Sequence, residues 1–326
     1  MWTTRSAFHF SIIHHLDIRW EEFATTIPEN NDQQNRLDQF NNPQGICIDD
    51  QNRSIYIADY DNHRIIERRL DTNTSRIVAG KNGQGNRLDQ LNEPTDVIID
   101  RLNNHLIIAD YGNRRVMRWP RHSNSPPQIV IDDIDCLSVA MHEDGTLYVS
   151  DYKKNEVQRW KKEETHGTVV AGGNGEGDQL NQFDCPNFLF VDDNHTLYIS
   201  DRDNHRVMKW PKDAKEGIVV AGGNGDGHRL TQLSQPQGVI VDQSDQIFVA
   251  DWDNDRVMRW CKGESEGTIV VGDNGRGQKK NQLNFPVGLS FDGEGNLYVV
   301  DHGNDRIAKF EKIWIRKRKK RDLEEQ

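Results

Sequence analysis

Residues 200–210 read Ser-Asp-Arg-Asp-Asn-His-Arg-Val-Met-Lys-Trp. Asp201, Asp203, His205 and Arg206 are the residue types of acid–base chemistry. A carboxylate can orient an imidazole, an imidazole can move a proton, and a guanidinium can hold a developing negative charge. The number of copies decides whether they do so. The leading aspartate recurs as Asp59, Asp110, Asp151, Asp201, Asp251 and Asp301, at intervals of 51, 41, 50, 50 and 50 residues. Three positions later stand Asn62, Asn113, Lys154, Asn204, Asn254 and Asn304, and five positions later Arg64, Arg115, Glu156, Arg206, Arg256 and Arg306. Nine positions later come Arg68, Trp119, Trp160, Trp210, Trp260 and Phe310. A reaction needs its catalytic set once or twice in a chain, whereas a set present six times is architecture. The repeated Asp, Asn and Arg are therefore read as scaffold. Asp and Asn favour tight turns through bonds to nearby backbone, and the arginine fork can bind a carboxylate or carbonyls. The third copy departs at Lys154 and Glu156, and the first lacks the aromatic.

The elements that must carry these residues share one plan. In the fifth unit a proline-started apolar run (residues 236–242) is followed by a polar turn, then by Ile247-Phe248-Val249-Ala250 ending at Asp251. A hairpin tip leads into 256–260, and a polar loop into 268–271. Four short β-branched or aromatic runs bounded by Gly, Pro, Asp or Asn predict four antiparallel strands per unit. No helical period interrupts them. Six four-stranded units read as an all-β, six-bladed propeller, a ring that removes exposed sheet edges. The blades are expected at about 42–80, 93–131, 135–172, 185–222, 235–272 and 285–310. The sixth lacks its own fourth run, so residues 22–28 are expected to supply it and fasten the ring. The propeller then spans 21–311, with an N-terminal extension at 1–20 and a basic tail at 312–326.

With those residues in place, the chain resembles the NHL-repeat family of six-bladed propellers. Asn62-His63-Arg64 and Asn204-His205-Arg206 match the family's tripeptide, with Asn254-Asp255-Arg256 and Asn304-Asp305-Arg306 as variants. The Asn-x-Pro-x-Gly opening appears at 284–288. The resemblance covers about residues 20–310. It implies a binding platform in most settings: the propeller of RING- and B-box-bearing ubiquitin ligases, which selects protein or RNA, or a bacterial sensor domain. It also admits an enzyme, the lyase half of the peptide-amidating enzyme, whose zinc is held by histidines. The dense Cys/His array of a RING domain is missing from this sequence, so a ligase role would run through a partner.

Charge narrows the partners. The net charge is −11; residues 312–326 hold seven basic and three acidic side chains, so they carry +4 and the preceding residues −15. An acidic body repels phosphates, which disfavours RNA and an anionic membrane surface. Arg114, Lys153, Lys154 and Arg202 remain as a candidate local basic patch for RNA. Arg316–Arg321 is a basic hexamer that suits either a solvated end or a nuclear-import signal. No run approaches the length of a membrane span, and the cytoplasm is the expected compartment, with the nucleus as the alternative through the tail.

Other motifs yield to blander readings. The glycine-rich stretch 78–85 recurs at 170–177, 220–227 and 270–277 without the Gly-Lys-Ser/Thr of a phosphate loop, and reads as a connector between blades. Cys47, Cys136, Cys185 and Cys261 form no C-x-x-C pair and read as free thiols, Cys136 and Cys185 being the one pair placed for a disulfide. His142 replaces the aspartate found as Asp49, Asp100, Asp192, Asp242 and Asp292, and reads as turn variation. No three histidines occupy equivalent inner positions, so no metal or other cofactor is expected.

One position varies inside the constant frame. The residue after each repeat aspartate is Tyr60, Tyr111, Tyr152, Arg202, Trp252 and His302. Strand direction puts these tips on the face that carries the connectors. Variable aromatic and cationic groups on a fixed frame suit a recognition surface. The leading expectation is a non-enzymatic platform for a protein or peptide. The alternatives are a ligase-associated or RNA-binding propeller, and a metal-dependent propeller lyase or lactone hydrolase.

Overall fold

The computed structural model describes residues 16–27, 37, 39–123, 125–162 and 164–316. It is a six-bladed β-propeller of four-stranded antiparallel sheets. The first blade runs from Pro43–Asp49 innermost through Ser54–Asp59 and Arg64–Arg69 to Ser75–Ala79 at the rim. The same plan repeats over 94–132, 136–172, 186–222 and 236–272. In the sixth blade the order is Pro286–Phe291, Leu297–Asp301 and Arg306–Phe310, and the rim strand is Thr25–Ile27. Thr25, Thr26 and Ile27 lie opposite Lys309, Ala308 and Ile307. The N-terminal strand expected at 22–28 therefore closes the ring.

Strand composition follows depth. The second strand is buried along its whole length in five blades, and in the other, His105–Asp110, all but His105 is buried. It has neighbours on both edges and both faces, which explains its continuous apolar runs. The rim strands of blades two to five expose their first two residues, as in Thr168–Gly172 and Ile218–Gly222. The apolar core is divided into six seams, one between each pair of adjacent blades. Trp210, Trp260 and Phe310 each fill one of these seams. Burying such a ring removes the largest apolar area any side chain offers.

The expected outer boundaries shift. Leu16–Trp20, inside the supposed extension, pairs antiparallel with Lys312–Arg316, the start of the supposed tail. Trp20 explains why the pair sits there. Its ring is 5.4 Å from Phe248 and 5.8 Å from Phe291, and its Nε1 donates to the Gly295 carbonyl at 3.0 Å. The rest of the basic run, His14 and His15 fall outside the described residues. All four cysteines are free thiols, Cys136 and Cys185 included. Among the described residues, no helix is long and apolar enough to cross a membrane.

Candidate recognition site at the channel mouth

The repeat residues form an interlocked clamp. Buried Asp201 accepts the Asp184 backbone N–H at 2.7 Å, Asn204 Nδ2 at 2.9 Å and Arg206 Nε at 2.7 Å. Asn204 also donates to the Gly177 carbonyl, and Arg206 to those of Asp178, Gln179 and Gln182. Those four carbonyls belong to the glycine-rich connector that enters the blade. Asp110, Asp251 and Asp301 repeat the arrangement with their own Asn and Arg. In the first blade Asp59 binds Asn62 and Arg64, and both reach the Gln39 carbonyl. Burial pushes the Asp201 carboxyl up to about 6, against the pull of its backbone N–H, Asn204 and Arg206.

The third blade breaks the pattern for a physical reason. Its aspartate follows the previous one by 41 residues instead of about 50. The connector that an arginine would clamp is reduced to the short step between Gln128–Asp132 and Cys136–Met141. An arginine at 156 would bury donors with no carbonyls to meet. Glu156 stands there instead, bonded to Gln158, and Asp151 pairs with Lys154 at 3.1 Å.

The histidine of the family tripeptide also has a mechanical role. His63 Nδ1 accepts the Glu93 backbone N–H at 3.0 Å, and His205 Nδ1 accepts that of Gln235 at 3.2 Å. Each joins one tip to the residue before the next blade's opening proline. Both histidines adopt left-handed φ of 53°, a conformation histidine tolerates better than most residues.

The variable residues converge. Tyr60, Tyr111, Arg202, Trp252 and His302 line a funnel of about 210 Å³ at one mouth of the central channel. The sixth, Tyr152, stands behind Tyr111, with their hydroxyls 3.3 Å apart and their rings at 5.8 Å. Tyr60 lies 6.3 Å from Tyr111 and donates to Glu93 Oε2. The shared hydroxyl contact pushes Tyr111 up to about 12, with burial adding to it; the phenol stays neutral. Trp252 stacks on Phe285 at 4.3 Å, and the Arg276 guanidinium caps Phe285 at 3.8 Å. That three-layer stack fixes the indole before any partner arrives. His302 Nδ1 lies 3.1 Å from the Pro43 carbonyl oxygen and 3.4 Å from Gln44 Nε2. Arg202 is held by both oxygens of Asp203, at 2.9 and 3.0 Å.

Sequence reasoning missed the second tier. The residue after each opening proline also faces the funnel: Gln44, Thr95, Asn187, Gln237 and Val287, with Leu137 in the third blade. Their offset from the proline was a usable signal. Phe188 is the floor, and it also lines a second cavity of about 290 Å³ toward the opposite mouth. At its level the other blades carry Gly45, Asp96, Ser138, Gly238 and Gly288. Asp96 is buried and accepts Ser138 Oγ at 2.7 Å and the Val139 and Val97 N–H groups. Burial pushes its carboxyl up to about 6 despite those bonds.

The expected basic patch is largely neutralised within the protein. Arg114 pairs with Asp133 and Asp135, Lys153 with Asp135, Lys154 with Asp151, and Arg202 with Asp203. Among the described residues His142, Asp144 and His195 bring their donor atoms within 4.8 Å of one another, on turns away from the funnel. His195 lies 53 residues from His142, in the equivalent turn of the next blade.

The NHL repeat family model matches residues 40–66, which is the first blade's opening through its tripeptide. No curated protein matches the sequence. The fold is similar to an auxiliary nutrient binding protein from Bacteroides thetaiotaomicron VPI-5482, at 16% identity and a TM-score of 0.67, over 84% of this chain and 70% of that one. It is also similar to virginiamycin B lyase from Staphylococcus aureus, at 12% identity and a TM-score of 0.54, over 90% and 99%. A structure of the nidogen/laminin complex matches at 16% identity and a TM-score of 0.56, over 69% and 78%. At these identities the likeness is one of fold. With an NHL repeat in the first blade and its clamp rebuilt in four others, the chain is a six-bladed β-propeller that carries the NHL repeat.

Proposed function

We propose that this propeller is a non-enzymatic binding platform that recognises a protein or peptide partner at the funnel. One observation carries the reading: five of the six residues that vary inside the constant frame meet around a single opening. They supply an imidazole together with aromatic faces and a guanidinium, the last two being the groups that anchor interfaces. The funnel holds one or two side chains, so a partner would rest its backbone on the rim and insert an anchor toward Phe188. The nutrient-binding and laminin-complex descriptions among similar folds support a binding role. The ion pairing of Arg114, Lys153, Lys154 and Arg202 supports a protein over RNA, since paired cations release few counterions from phosphates. The cytoplasm or nucleus is the compartment we assign to this activity.

Selection of a displayed peptide library on the full chain tests the reading. Peptides enriched on the wild type are expected to lose at least tenfold in affinity, by fluorescence anisotropy, for a Tyr60, Tyr111 and Trp252 triple-alanine variant of unchanged circular dichroism. Peptides that bind both proteins equally would move the site elsewhere.

A further inference from the structure

We propose that His142, Asp144 and His195 form a site for one divalent transition-metal cation, zinc first among them, bridging blades three and four on the face opposite the funnel. His142 and Asp144 lie in the turn between Cys136–Met141 and Leu147–Asp151, and His195 lies in the equivalent turn of the next blade. His142 Nδ1 is 2.9 Å from Asp144 Oδ1, and His195 Nε2 is 3.6 Å from Asp144 Oδ2. Bonds of about 2.1 Å in a tetrahedral zinc site place neighbouring ligand atoms about 3.4 Å apart. The distances around Asp144 are close to that spacing, and the imidazoles, stacked with centroids 3.7 Å apart, open to bring both lone pairs onto one ion.

The outer contacts match what a metal ligand requires. A ligating imidazole usually donates its other N–H to an oxygen, which fixes tautomer and ring plane. His142 Nε2 is 3.3 Å from the Asp193 carbonyl, and His195 Nδ1 is 2.9 Å from the Tyr148 hydroxyl. Both leave the nitrogen that faces Asp144 as the ligand. The same His142 Nδ1 lone pair accepts the Asp144 backbone N–H at 3.2 Å. The repeat aspartates make the corresponding bond with a carboxylate oxygen, as Asp242 does to Ser244 at 2.8 Å. A cation would take over that lone pair.

Two further features set this corner apart. The imidazoles stack at 3.7 Å. His195 also holds a φ of 59° where blades three and six place Gly145 and Gly295. Arg159, Lys161 and Lys212 line the same cavity as Asp144 and His195. With two imidazole nitrogens, one carboxylate and cations close by, the site selects through nitrogen rather than accumulated negative charge, which separates zinc from calcium and magnesium.

The test uses the full chain, stripped with a chelator and titrated with Zn²⁺ against a chromophoric competitor. One Zn²⁺ per chain is expected, with affinity at least tenfold weaker in His142→Ala and in His195→Ala, each checked for an unchanged metal-free Tm. Zn²⁺ should raise the wild-type Tm, and Ca²⁺ should leave it unchanged. A Co²⁺ adduct of the wild type gives a readout independent of any variant: intense tetrahedral visible bands are expected. Failure to bind one Zn²⁺, full binding in both variants, equal competition by Ca²⁺, or the pale spectrum of octahedral Co²⁺ would each overturn the proposal.

Discussion

Asp305 Oδ1 accepts the backbone N–H of Asn42 at 2.8 Å, across 263 residues of sequence. Asp255 makes the same contact to Phe285, and Asn155 to Cys185. The joint between the sixth and first blades is therefore latched in the manner of joints the chain makes between neighbours. What differs there is the rim strand, which only residues 25–27 provide.

Closure by the N-terminal segment predicts a stability loss. Trp20→Ala removes a ring packed on Phe248 and Phe291 and should cost about 3 kcal/mol, lowering Tm by roughly 4 °C. Deleting residues 1–30 should lower it much further by exposing the edge of Arg306–Phe310. A deletion variant that melts with the wild type would mean that the ring closes without this strand. Thermal unfolding by circular dichroism measures both.

The clamp predicts an asymmetry among ion pairs. Arg256 is 2% exposed and Asp251 fully buried. Arg256→Met leaves that carboxylate buried without its partner and should cost about 3–5 kcal/mol. Arg69→Met removes a surface pair with Asp71 and should leave chemical denaturation unchanged.

Blade three supplies the converse. Glu156→Arg restores the repeat consensus yet should destabilise, by about 1–3 kcal/mol, because no connector carbonyls stand opposite. A rise in the denaturation midpoint would contradict the connector explanation.

Close backbone approach predicts that Gly238→Ala is not a mild change. A Cβ there would meet the Val287 carbonyl oxygen at 2.3 Å, so the innermost strands of blades five and six must part. The expected cost is about 1–3 kcal/mol. Gly175→Ala, with open space around it, serves as the comparison for packing alone, although its φ of 80° adds backbone strain.

Asp96 predicts a pH dependence with a definite sign. Its folded pKa of about 6 lies above the ordinary carboxylate value of 3.8, so folding favours the protonated form. The stabilisation from that proton is complete below about pH 4 and is lost as pH rises through 6. Asp96→Asn should flatten the stability profile across that window, whatever its effect on absolute stability. Denaturant titrations from pH 4 to 7.5 give the comparison, and parallel profiles would assign the proton elsewhere.

By itself the sequence determined the fold, the blade register and the strand that closes the ring. These follow from local causes that a repeat displays over and over: short apolar runs and a turn aspartate in all six copies, and an asparagine and an aromatic at fixed offsets in five each. Repetition also showed that Asp201 and Arg206 are scaffold, and it isolated Tyr60, Tyr111, Tyr152, Arg202, Trp252 and His302 as the positions free to vary. The tertiary structure alone decided which groups meet across blades. Phe188 divides the channel because five other strands place smaller side chains at its level. Trp252 is rigid because Phe285 and Arg276, 33 and 24 residues away, stack beneath it. His142 and His195 share one carboxylate because neighbouring blades bring equivalent turns together. Such contacts depend on distances between strands that hydrogen-bond within separate sheets, and no spacing along the chain encodes them.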